Sequence, residues 1–262
     1  MSRISLQMST IAAQTRTLPE LETSLDKLAE IGFRTVQLRI NEAFGVKNVK
    51  RLLDERGMWD DSMSFPAGKL AENEAHYLNL CDLFETNRVR LDSIPEDACA
   101  TAEDYRNYAK FLNRAGESYR KAGVKLVYHF HAFEFIRFGD ATGIELLLAE
   151  SDPEILEICP DTHWIQSGGR SCTEFLEQYR DRYTYVHCKD FGIGPRGEYR
   201  EYRPILFAPV GEGNLNWKPI LDICKANNVR SYAIEQDNCY GRDPFDCVTS
   251  SFNFLKKMGV DG

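Results

Sequence analysis

The sequence predicts an α/β fold of a single domain over residues 1–262, a closed (β/α)8 TIM barrel. Three observations predict it. β-type and amphipathic helical segments alternate from end to end, and parallel strands need such crossovers. Eight strand–helix repeats fit into 262 residues, close to the ~250 that a barrel of this kind takes. No GxGxxG follows the first strand, which argues against a doubly wound dinucleotide fold.

ISLQMST (4–10) reads as the first strand. LPELETSLDKLAEIGF (18–33) follows, with leucines at 18, 21, 25 and 28 in the 3–4 spacing of an amphipathic helix that stops at Gly32. TVQLRI (35–40) is a second strand, VKNVKRLLDERG (46–57) a second helix, and WDDSMSF (59–65) a weak third strand. A helix over 67–87 leads to RVRLDSI (88–94), the fourth strand. A long helix over 101–123 opens on Thr-x-x-Asp and ends on glycine.

KLVYHFH (125–131) is strand five, with a short helix over 141–151 behind it. ILEICPD (155–161) is strand six, followed by a helix over 173–181, and YTYVHCK (183–189) is strand seven. A helix over 216–228, SYAIEQD (231–237) as strand eight, and a last helix from Pro244 to about Met258 complete the count. The least regular stretch, 192–214, is rich in glycine, proline and basic residues and reads as an active-site loop.

Composition narrows the function classes. The net charge of −8, from 32 basic and 40 acidic residues without a long single-sign block, repels a phosphate backbone, so no nucleic-acid partner is expected. No segment approaches the ~20 apolar residues of a membrane span, and MSRISLQMST lacks a signal-peptide apolar run. Eight cysteines without a CxxC pair read as reduced, packed thiols. The expectation is a cytoplasmic protein with no membrane partner, and a homo-oligomer is left open.

Four strand ends carry the chemistry. Glu134 (with His129 and His131 just before it), Asp161, His187 and Glu235 each close a β-like apolar run. A barrel collects its active site at that rim, and neighbouring strand ends lie ~5 Å apart, so four can converge on one ion. One histidine and three carboxylates favour Mn2+ or Mg2+ as the single divalent metal, with Zn2+ or Co2+ as alternatives.

The same residues carry a resemblance. YHFHAFEF (128–135) resembles the YHNHxxEF signature of the sugar phosphate isomerase/epimerase family, whose members are xylose isomerase-like TIM barrels. PDTHW (160–164) is similar to its DTYW, VHCKD (186–190) to its HLKD, and VGEGNLNW (210–217) to its GxGxxxW turn. AIEQD (233–237) matches its strand-eight acid. The likeness runs in order over residues 120–260, with departures at Phe130 (usually Asn), His163 (usually Tyr) and Cys188 (usually Leu).

The resemblance implies Glu134, Asp161, His187 and Glu235 as metal ligands, with His131 the rival of Glu134 on strand five. It implies Glu134, Glu235, His131 and Lys189 as catalytic residues, and His129, His163, Trp164 and Gln236 as substrate contacts. The activity implied is metal-dependent isomerisation or epimerisation of a sugar, keto-sugar or cyclitol derivative through an enediolate, in carbohydrate metabolism. Loss of a β-hydroxyl from the same intermediate would make the enzyme a dehydratase or lyase on an inosose or 3-keto sugar. A non-catalytic sugar-binding protein and a barrel endonuclease are weaker readings, the latter because only five histidines are present.

Two further features stay open in the sequence. VGEGN could cradle a phosphate through its backbone amides or make a tight turn. Arg196, Arg200 and Arg203 could meet an acidic group or form a solvated loop face.

Overall fold

A computed structural model describes residues 3–91, 93–195 and 204–261. Arg196, Arg200 and Arg203 lie outside the described residues. The chain divides into two compact units, residues 1–59 with 186–262 and residues 60–185.

The first unit is built on a sheet in the order Tyr185–Cys188, Ser231–Ile234, Arg3–Gln7, Thr35–Gln37, Trp59–Asp60. Arg3–Gln7 pairs in parallel with both neighbours, Ser5 opposite Ala233 and Thr35. The helix Leu18–Ile31 starts where the sequence puts it, because Thr17 and Glu20 form a capping box that satisfies two end amides. Its Leu21, Leu25 and Leu28 are buried, and Phe33 packs on Phe252 of the helix Pro244–Lys257 with ring centroids 4.7 Å apart.

The second unit has a parallel sheet in the order Met63–Ser64, Arg88–Leu91, Lys125–His129, Leu156–Cys159. Its long helix Ala102–Lys121 carries the Thr101–Asp104 capping box expected from Thr-x-x-Asp. The expected third strand is broken: Trp59–Asp60 ends the first sheet and Met63–Ser64 begins the second. Two aspartates and a serine between the apolar ends favour a turn over continued pairing.

Side-chain alternation sets which face each residue occupies. Tyr128 points toward the helix Ala102–Lys121, its ring edge-on to Tyr108, so Val127 and His129 point to the opposite face. On that face Val127 packs with Cys159 and Tyr185. One step earlier along the strands, buried Glu157 accepts from Arg88 Nε and Nη2 at 3.3 Å and from Thr184 Oγ1 at 2.9 Å. A buried carboxylate is tolerated only when it is paired in this way.

The stretch read as an irregular loop contributes to a two-stranded ribbon. Asp190–Ile193 pairs antiparallel with Ile205–Ala208. All eight cysteines are free thiols, and no described helix is long and apolar enough to cross a membrane.

Candidate metal centre

Each unit carries one imidazole–carboxylate pair at the C-terminal ends of adjacent strands. In the second unit His129 closes Lys125–His129, and Asp161 follows its neighbour Leu156–Cys159. Their Nε2 and Oδ2 atoms are 3.4 Å apart. Asp161 also caps the helix Thr162–Ser167: Oδ1 accepts the Trp164 amide at 3.0 Å, which fixes the carboxylate and leaves Oδ2 turned toward His129. The turn-starting role and the ligand role of Asp161 are therefore compatible, one oxygen to each.

In the first unit His187 lies within Tyr185–Cys188 and Glu235 just beyond Ser231–Ile234. His187 Nδ1 is 2.6 Å from Glu235 Oε2. Gln37 Oε1 sits 2.8 Å from His187 Nε2, which assigns the ring proton to Nε2 and leaves Nδ1 as an acceptor. Two acceptors 2.6 Å apart need a cation between them, a shared proton or a metal ion. At 2.6 Å the pair has the length of a charge-assisted hydrogen bond, and its imidazole–carboxylate donor chemistry is of the kind that suits a divalent metal. His129, Asp161, His187 and Glu235 are all buried, and each offers one ligand atom.

Glu235 Oε1 is 3.6 Å from Lys189 Nζ and accepts from Ser9 Oγ at 3.4 Å. Lys189 is 1% exposed, bonded to Asp237 Oδ1 at 2.9 Å. The buried Nζ is thus paired with two carboxylates, those of Asp237 and Glu235.

Glu134, expected among the ligands, is placed elsewhere. Its Oε1 accepts from the Tyr128 hydroxyl at 2.7 Å and its Oε2 from the His131 amide at 2.8 Å. Tyr128 points away from the His129 face, so the carboxyl bonded to it lies behind the strand. Burial pushes Glu134 up to about 7, against the lowering effect of those two hydrogen bonds. Of the three polar side chains on strand five, alternation places His129 beside Asp161.

The other expected contacts divide. The His131 ring lies 4.9 Å from that of His129 and 5.2 Å from Trp164, making an aromatic wall beside the His129–Asp161 pair. His163 is buried, with Nε2 3.2 Å from Ser167 Oγ on its own helix. Gln236 is also turned to local bonds, its amide to Thr10 Oγ1 and its Nε2 to the Asn238 carbonyl.

The glycine-rich VGEGNLNW turn holds an anion of its own. Buried Asp190 accepts from the amides of Phe191, Gly211, Gly213 and Leu215 at 2.8–3.2 Å and from Trp217 Nε1 at 2.6 Å. Those amides are occupied by a carboxylate, so the phosphate-cradle reading is corrected and Trp217 belongs to this anchor. A Cβ on Gly213 would lie 2.2 Å from Asp190 Oδ1, which explains the glycine. Sequence reasoning passed over Asp190 and Gln37. A signal existed for both: a charged residue directly after a candidate site lysine, and a polar residue at the inward end of an apolar strand.

The inosose dehydratase of Lactiplantibacillus plantarum is 29% identical over 172 residues, 62% of this chain and 56% of its own length. The inosose dehydratase of Clostridium perfringens is 22% identical over 293 positions covering 98% of both chains. A sugar phosphate isomerase/epimerase from Parabacteroides distasonis shares the fold, with a TM-score of 0.82 at 20% identity over 100% of this chain and 96% of that one. Residues 25–258 match one family description, and the chain belongs to the Xylose isomerase-like TIM barrel family.

Proposed function

We propose that this protein is a divalent-metal-dependent lyase that removes water from an inosose or 3-keto sugar. His129, Asp161, His187 and Glu235 would hold the ion. Two imidazoles and two carboxylates form a mixed nitrogen–oxygen set, which suits Mn2+, Co2+ or Zn2+ better than Mg2+. When bound, the ion supplies Lewis acidity that polarises the substrate ketone.

The observation that carries the reading is the contact between Lys189 Nζ and Glu235 Oε1 at 3.6 Å. Glu235 takes the proton beside the ketone, the released pair forms the carbon–carbon double bond, and the β-hydroxyl leaves with a proton from Lys189 as water. Acid and base stand side by side, which favours loss of hydrogen and hydroxyl from the same face of the ring. Epimerisation needs acids or bases on both faces instead, and Glu134 is engaged behind its strand. The names of the two dehydratase relatives point the same way. Isomerisation or epimerisation is the second reading, and His131, with its ring 4.9 Å from that of His129, would supply the other acid–base group.

Incubation of the metal-loaded enzyme with an inosose and 3-keto sugars in D2O separates the two. A lyase yields a product short of one water. An isomerase returns a hexose carrying deuterium with no water lost, and that outcome would sink the lyase reading. Glu235→Gln should abolish turnover, by 10³-fold or so, while substrate binding persists.

A further inference from the structure

Lys189 follows the strand Tyr185–Cys188 directly, and its side chain is buried. Its Nζ lies 2.9 Å from Asp237 Oδ1 and 2.8 Å from Asp237 Oδ2, within hydrogen-bond length of both oxygens. Glu235 Oε1 stands 3.6 Å away, too far for a hydrogen bond. The amine is therefore bonded to Asp237 and held off from Glu235.

Asp237 opens a turn that is itself tied down. Gln236 Nε2 donates to the Asn238 carbonyl at 3.0 Å, and Asn238 Oδ1 accepts the Tyr240 amide at 2.7 Å. The Tyr240 hydroxyl then accepts the Phe207 amide at 3.2 Å. Tyr240 takes a φ of 49°, a left-handed conformation that a tyrosine keeps only where its surroundings fix it. The carboxylate that holds Lys189 thus stands on a fixed support, although its side chain is 38% exposed.

The two oxygens of Glu235 have different neighbours. Oε2 meets His187 Nδ1 at 2.6 Å, whereas Oε1 meets Ser9 Oγ at 3.4 Å and faces Lys189. Lysine is a flexible chain of four carbons with a rotatable donor group at its end. Released from Asp237, Nζ could close the remaining gap and bond Oε1, the oxygen left to take a proton from substrate. We propose that Asp237 is a positioning residue, which keeps the Lys189 amine beside Glu235 Oε1 without letting it bond there. Acid and base then meet the substrate as separate groups. The proposal rests on the dehydration reading above, in which Lys189 and Glu235 play these parts.

The test compares the full-length wild type with Asp237→Ala and Asp237→Asn, by crystal structure and by Mn2+-loaded kinetics on an inosose. In Asp237→Ala, Nζ should move to within about 3 Å of Glu235 Oε1. Its kcat should fall about 10- to 100-fold with KM changed less than about threefold, because the acid is misplaced while substrate contacts persist. Asp237→Asn keeps one acceptor oxygen, so Nζ should stay in place and kcat should recover to within about fivefold of wild type. An unmoved Nζ in Asp237→Ala, or an asparagine variant as slow as the alanine one, overturns the proposal alone. A wild type that removes no water from the inosose overturns the dehydration reading, and the part given to Asp237 falls with it.

Discussion

The Tyr128 hydroxyl donates to Glu134 Oε1 across 2.7 Å, and this bond keeps a buried carboxyl on the far side of its strand from His129. Glu134 also accepts the His131 amide, so it shapes the segment that leads from His129 to the aromatic wall. In this position its two oxygens face Tyr128 and the His131 amide.

A pH dependence follows from its burial. Glu134 is raised from 4.5 to about 7, chiefly by desolvation. Between these values the folded state holds a proton that the unfolded state has released, so stability is fully present below pH 4.5 and lost as pH rises through about 7. Glu134→Gln removes this single-proton linkage. Urea unfolding at a series of pH values should show a flatter profile for the variant between pH 5 and 7.5.

Metal binding separates the two strand-five residues. His129→Ala should weaken Mn2+ affinity by ~100-fold or more, since a ligand is lost, whereas Glu134→Gln should change it by less than ~3-fold. Equal losses in the two variants, measured by calorimetric titration of the ion, would return Glu134 to the ligand set.

Gln37 is expected to act through His187. Its Oε1 holds the proton on Nε2 and so presents Nδ1 toward Glu235. Gln37→Leu should lower metal affinity about 10- to 100-fold and cost about 1–3 kcal/mol of stability, because the buried Nε2–H loses its acceptor. An unchanged affinity would mean that the ring is oriented by packing alone.

Asp190 joins the active-site strand to the turn before the helix Trp217–Ala226 through five hydrogen bonds. Asp190→Ala leaves those buried donors without an acceptor and should cost about 3 kcal/mol in chemical denaturation. Because Asp190 follows Lys189 directly, kcat should also fall about tenfold in the fraction that remains folded. Gly213→Ala, whose Cβ would meet the same carboxylate, should reproduce both effects in weaker form.

Much of this protein is legible in its sequence. Apolar periodicity marks the helices, and capping boxes at Thr17 and Thr101 mark their starts, because end amides need local acceptors whatever the tertiary context. The strand ends His129, Asp161, His187 and Glu235 are visible as polar residues closing apolar runs. Tertiary structure alone decided which of three strand-five candidates stands beside Asp161: side-chain alternation turns His129 to its neighbour, while the Tyr128 hydroxyl captures Glu134 on the other face. It also decided that the glycine-rich turn closes on Asp190, from a strand 21 to 25 residues earlier. Sequence records which groups can accept or donate; which partner each finds depends on distances that only the folded chain sets.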